Sequence, residues 1–209
     1  MAAKNYERRS YAFEVRAEES EGASLITGRP IVTGSRTDLG PFDEVIEPGA
    51  LDHTKLTDVR FLVNHDLSRI PLARSRGNSE DSTMHLTVDE KGMSIRVMLD
   101  TEGNPEAQAL YSAVKRGDIS GMSFMFLIDG EEWEDLESSH PTRRITDIAE
   151  VLEVSAVTFP AYGATEIHAR AQGAEKSAGE ALERARQFHE APDQRELELI
   201  KLKALYGGL

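Results

Sequence analysis

The chain has 209 residues, 39% of them hydrophobic, and its 24 basic and 37 acidic side chains give a net charge of -13. It contains no cysteine, which excludes disulfides, zinc-thiolate sites and a cysteine nucleophile. No apolar run approaches the roughly 20 residues of a membrane span, the basic N-terminal stretch lacks the apolar core of a secretory signal, and an acidic surface repels the phosphates of nucleic acid.

Residues 11 to about 165 read as mostly β. Tyr11, Phe13 and Val15 alternate with other residues at the period of a half-buried strand, and a second apolar run, Leu25 to Val32, is interrupted at Gly28 and Pro30. FDEVI forms a short strand between turn-rich flanks, VRFLVNHD is a β-branched and aromatic run, and MHLTVDEKGMSIRVML predicts a hairpin turning at Asp-Glu-Lys-Gly. One helix interrupts this pattern. Asn104 is its N-cap, Pro105 its first residue and Glu106 lies in its first turn. Ala107, Leu110 and Val114 share a face, Lys115 and Arg116 sit at the negative end of the dipole, and Gly117 ends it. Three further strands are expected, GMSFMFLI, RRITDIAEV and LEVSAVTFP, the last stopped by Pro160.

From Ala171 the composition turns to Ala, Glu, Arg and Leu, with acids and bases nearly balanced. This predicts a domain over residues 1–170 and a helical tail over 171–209: a link, a helix at about 177–190, a break at Pro192 and a second helix at about 193–205. With so weak an apolar stripe, the tail is expected to be separable or to pack on a partner.

Phosphate loops, dinucleotide-binding glycine patterns, His-Glu-x-x-His and Gly-x-Ser-x-Gly are all missing. What remains is histidine, serine and acids at strand ends. His65 follows an apolar strand and precedes a polar turn, a position open both to a general base and to a capping histidine. Ser123 opens an apolar strand between Met122 and Phe124, so its hydroxyl needs a partner. A histidine would satisfy and activate it, and a purely structural bond would also serve. Ser120 is the nearest competitor as nucleophile. Glu153 lies between Leu152 and Val154 in a core-like run, where a carboxylate is costly unless paired, and orienting an imidazole is one reason to keep it. Glu150 and Asp147 are weaker choices, because their stretch alternates polar and apolar residues normally.

In the order His, Ser, Glu, these segments resemble the tailed-phage prohead protease family, related in fold to the herpesvirus assemblin proteases. The resemblance is carried by GRPIVTGSRTDLGPFDEVIEPGAL, FLVNHD, VKRGDISGMSFMF and RRITDIAEVLEVSAVTFPAY, across roughly residues 10–170. It implies an α+β, mainly β fold: an assemblin-like β-barrel core with a few flanking helices. It implies a serine endopeptidase with His65 as general base, Ser123 as nucleophile and Glu153 as third member, without cofactor or metal. Its substrate would be the major capsid protein or a scaffold protein inside the immature capsid, in the host cytoplasm, and it would also cut itself. A homodimer follows from the fold analogy. The rival readings are a non-enzymatic assembly protein with a scaffold-like tail, and a metal-dependent hydrolase, for which no His-x-x-x-His spacing is present.

Overall fold

In the computed structural model, which describes residues 6–11, 15–20, 23–158 and 171–190, eleven strands fall into two sheets beside two helices. In chain order the elements are β1 Glu7–Tyr11, β2 Val15–Ser20, β3 Ala23–Val32, β4 Arg36–Asp38, β5 Asp43–Ile46, β6 Val59–Val63, β7 Ala73–Ser75, β8 Met84–Asp89, β9 Gly92–Leu99, α1 Pro105–Arg116, β10 Gly121–Glu134, β11 Thr142–Val157 and α2 Ala171–Glu190.

The smaller sheet runs β2-β3-β9-β8, all antiparallel. The β8–β9 hairpin turns where the sequence places it. Gly92 has a φ of +119°, and a Cβ there would meet the Ile31 carbonyl oxygen at 2.1 Å, so only glycine fits. The Gly28 and Pro30 interruption does not end β3. It becomes a register shift against β9 between Gly28 and Ile31, where a missing proline N–H is tolerated.

The larger sheet is built on two long strands, β10 and β11, paired antiparallel along their length. The outer edge of β11 is shared: its first half pairs parallel with β5, its second half parallel with β6. β1 covers the opposite edge of β10. The two strands expected over 143–151 and 152–160 are thus one 16-residue strand, β11. Both halves have a strand on either side, but the first half keeps partly exposed and exposed positions among its buried ones, while residues 153–157 are buried without interruption.

One buried cluster joins both sheets and α1. Ile26, Ile31, Met93 and Val97 from one sheet meet Phe61, Phe124, Phe126 and Val154 from the other, and Ala107, Leu110 and Val114 complete it. The mainly β, α+β class is observed. The strands do not close into a barrel among the described residues, because β11 spends its second edge on two short parallel strands and the two sheets remain separate. No helix of the described residues is long and apolar enough to cross a membrane.

The α1 caps match their sequence signals. The Asn104 side chain accepts from the Glu106 and Ala107 amides, and Gly117, left-handed at φ 78°, donates back to Ala113 and Val114. α2 starts six residues before the expected helix and lies on the β domain, with Ala178 and Leu182 against Phe42. The link expected between Ala171 and the helix is instead the first part of α2, while the expected second tail helix lies outside the described residues, as do Phe13 and Pro160.

Candidate active site

Strand adjacency assembles the site. β10, β11 and β6 are consecutive neighbours, so residues in register across them share a face. Ser123 on β10 stands directly opposite Ser155 on β11. Two residues back along β11, on the same face, is Glu153. His65 comes two residues after the end of β6, which runs on the far side of β11.

Two consecutive left-handed residues turn the chain over that face: Asn64 at φ 54° and His65 at φ 60°. Asparagine tolerates this conformation better than most residues and histidine less well, so the turn is strained and must be held from outside. The Asn64 amide donates to the Ala156 carbonyl at 3.0 Å, and the Asn64 side chain clamps Thr158, donating to its hydroxyl and accepting from its amide, each at 3.0 Å. The His65 amide donates to Ser155 Oγ at 3.1 Å.

The ring that this turn delivers lies between serine and carboxylate. His65 Nε2 is 2.5 Å from Ser123 Oγ, and Nδ1 is hydrogen-bonded to Glu153 Oε1. The second carboxylate oxygen, Oε2, accepts the Ser155 hydroxyl at 2.6 Å. Glu153 and Ser123 are both 0% exposed. Both oxygens of the buried carboxyl group are therefore hydrogen-bonded, as a buried polar group requires. In the tautomer whose Nδ1–H donates to Glu153, Nε2 is left to accept a proton. Ser123 Oγ also lies 2.7 Å from the backbone carbonyl oxygen of Arg9 on β1, and its single proton can serve one of these two acceptors at a time.

All three residues singled out in the sequence, His65, Ser123 and Glu153, are thus in contact. Ser120 is exposed in the turn before β10. Glu150 is engaged elsewhere, accepting from Tyr6 and Lys55, and Asp147 pairs in register with Gly130 at a bulged part of the hairpin. Ser155 and Asn64 were not singled out. Ser155 had a readable signal: Glu-x-Ser inside a buried run places two polar groups on one face. Asn64 had a weaker one, an asparagine where a strand must reverse.

A second buried polar cluster borders the first. Arg9 donates through Nε and Nη2 to the two oxygens of Glu44, and through Nη2 to Glu7 at 2.6 Å. Arg143 donates to Glu7 at 2.8 and 3.0 Å, to Glu44 at 3.3 Å and to Glu131 at 2.7 Å. Burial alone would push the Glu7 carboxyl up, but the hydrogen bonds and charges of Arg143 and Arg9 outweigh it and hold Glu7 below the ordinary glutamate value of 4.5. Burial works against the charged Arg143 as well, and the bonds it donates to Glu7, with the charges of Glu7, Glu44 and Glu131, raise its pKa instead. Farther off, Asp38, Asp43 and His140 bring one ligand atom each within 4.8 Å at the surface, and His140 is already hydrogen-bonded with Asp43.

A histidine between a serine hydroxyl and a buried carboxylate can move a proton from the hydroxyl while its own positive charge is stabilised. Among solved structures, the bacteriophage T4 capsid assembly protease is similar at 13% identity over 72% of this chain and 98% of that one, with a TM-score of 0.38. No curated protein matches the chain. The family model for the caudovirus prohead serine protease matches residues 11–179, most of the described β domain and the start of α2, and the chain belongs to that family.

Proposed function

We propose that this capsid-maturation protease works through Ser123 as nucleophile, His65 as general base and Glu153 as the carboxylate that orients the imidazole. The observation that carries this reading is the continuous hydrogen-bonded run from Ser123 Oγ through both ring nitrogens of His65 to Glu153.

In the reaction Ser123 Oγ attacks a peptide carbonyl carbon while His65 Nε2 takes its proton. Glu153 fixes the tautomer that leaves Nε2 open and balances the imidazolium that forms. The tetrahedral intermediate collapses, His65 returns the proton to the leaving amine, and water resolves the acyl-enzyme by the same route in reverse. The substrate is the major capsid protein or a scaffold protein within the immature capsid, with the protease cutting itself as well. By analogy with the herpesvirus proteases that the family resembles in fold, the working form is a homodimer.

The test is co-expression with the capsid protein of the same phage, comparing wild type, Ser123→Ala and Ser120→Ala. Ser123→Ala should abolish processing, a loss of about four to six orders of magnitude in rate. Ser120→Ala should process normally. Undiminished cleavage by Ser123→Ala overturns the assignment, and loss with Ser120→Ala alone moves the nucleophile three residues back.

A further inference from the structure

The candidate nucleophile is fully buried, at 0% exposure, and no polypeptide can reach it as the chain stands. What runs across it is the chain's own N-terminal strand. β1 pairs antiparallel with β10, with Ser10 opposite Ser123 and Arg9 opposite Phe124. An extended peptide added to a strand edge beside a reactive serine is the way many proteases hold a substrate, because main-chain hydrogen bonds fix register without regard to sequence.

Three details make β1 resemble a substrate and not merely an edge strand. The Ser123 hydroxyl lies 2.7 Å from the Arg9 carbonyl oxygen and can donate to it, so the Arg9 carbonyl group is the one on β1 that meets the nucleophile. Its side chain fills a closed pocket. The guanidinium is 5.7 Å over the Phe126 ring and forks onto both oxygens of Glu44, itself 1% exposed. Two residues earlier, Glu7 is held by both terminal nitrogens of Arg143. Glu44 belongs to β5 and Arg143 to β11, so both remain in place if β1 leaves. The vacated edge would then present a carboxylate at the cleaved position and a guanidinium two residues before it.

We propose that this edge of β10 is the substrate cleft, that it takes an extended peptide with Arg or Lys on the acyl side of the cut and Glu or Asp two residues before it, and that β1 is its resident competitor. The proposal rests on Ser123 and His65 being the reacting pair. Glu44 is then the residue that sets specificity for the basic side chain, and Arg143 the one that reads the acid. In the reaction Ser123 Oγ bonds to the carbonyl carbon of the basic residue. The bond to the next residue's nitrogen breaks, and that nitrogen receives the serine proton by way of His65 Nε2. Water then cleaves the ester and regenerates the hydroxyl. A neutral or acidic side chain at the cleaved position would leave Glu44 without its bidentate partner, which disfavours such peptides.

The test uses the full chain and three quenched fluorescent peptides: Glu-Ala-Arg-Ser, Glu-Ala-Leu-Ser and Ala-Ala-Arg-Ser, each in the same flanks. Wild type should cut the first after Arg with kcat/KM at least tenfold above the second and severalfold above the third. Arg9→Ala, which loosens the resident strand, should lower the apparent KM for the first peptide at least fivefold. Glu44→Gln, in a preparation shown folded by its thermal melt, should erase the preference for Arg over Leu. Equal cutting of the Arg and Leu peptides overturns the proposal, and this comparison needs no variant to fold. An unchanged KM in Arg9→Ala removes β1 from the cleft. The proposal also fails if Arg9→Ala processes capsid protein yet cuts no Glu-Ala-Arg-Ser peptide. Loss of all cutting in Ser123→Ala keeps these outcomes separate from the catalytic reading, which alone falls if that variant still cuts.

Discussion

At the scale of single residues, Ser155 connects the parts of the site. It accepts from the His65 amide at 3.1 Å and donates to Glu153 Oε2 at 2.6 Å, so one hydroxyl holds both the strained turn and the carboxylate. In the proposed reaction it would act through these two groups, as a positioning residue. Ser155→Ala leaves Glu153 Oε2 and the His65 amide without this partner. It should cost about 1–3 kcal/mol of stability and lower kcat about 10- to 100-fold with KM little changed. A purely structural role would leave the kcat of the still-folded protein at the wild-type value, and steady-state kinetics beside a thermal melt separates the two. Glu153→Gln should be harsher, about three to four orders of magnitude in kcat, because an amide can hold the wrong tautomer of His65. His65, Ser123 and Glu153 were candidates in the sequence, each open to a structural reading when taken alone, and the fold brings the three into one hydrogen-bonded run. Ser155 was passed over although Glu-x-Ser in a buried run places two polar groups on one face, and its contact with the His65 amide follows only from β6 lying beside β11.

At the scale of elements, the best-read pieces were those whose boundaries are local. α1 carried its N-cap, proline, dipole-matched charges and terminal glycine within fourteen residues, from Asn104 to Gly117, and the β8–β9 turn carried its glycine. β11 was read as two strands because its halves have different neighbours, β5 and β6, and neighbours are not written in a strand's own sequence. The same blindness hid Glu44. FDEVI reads only as a short strand, and nothing in its own residues marks Glu44 as buried, yet β5 lies between β4 and β11 and turns Glu44 inward to Arg9 and Arg143. The hold on β1 follows from this cluster and is pH-dependent. Glu7 faces Arg9 on its own strand and Arg143 on β11, with Glu44 and Glu131 binding the same guanidiniums. Its pKa is lowered in the folded state, so its contribution is fully present above 4.5 and is lost as pH falls through the lower folded value. Glu7→Gln should therefore cost about 3–5 kcal/mol at neutral pH, the usual penalty for breaking one side of a buried pair. The gap between variant and wild type should shrink as the solution is acidified below 4.5. Urea melts at a series of pH values measure this, and a gap that stays constant to strongly acidic pH would show that Glu7 does not carry the hold.

At the scale of the whole molecule, the N-terminal strand and the C-terminal helix converge on one end of the larger sheet. Arg143, which holds Glu7, also lies 5.7 Å over the Trp133 ring, and Trp133 meets Phe42 edge-on with centroids 4.8 Å apart. Onto that aromatic pair α2 lays Ala178 and Leu182, while Arg186 donates to the carbonyls of Leu136 at 3.2 Å and Ser138 at 2.8 Å. Composition alone marked 171–209 as separable because no apolar stripe there could make a core of its own, and α2 instead completes a small satellite core of the β domain. Most helical stability in proteins comes from packing an apolar face, and α2 packs Ala178 and Leu182 on the β domain. Ending the chain after Arg170 should uncover Phe42 and cost about 2–4 kcal/mol, as expected for losing the cover of a few apolar side chains. For a domain of this size that is a drop of roughly 5–15 °C in Tm. Ser123, His65 and Glu153 all precede the cut, so the shortened chain should still cleave peptides in solution below its melting point. If the tail also recruits the protease to assembling capsids, the same truncation should leave proheads unprocessed although the peptide assay is intact. Equal incorporation of truncated and full-length chains into proheads, measured on purified particles, would restrict the tail to the structural role that its contact with Phe42 already defines.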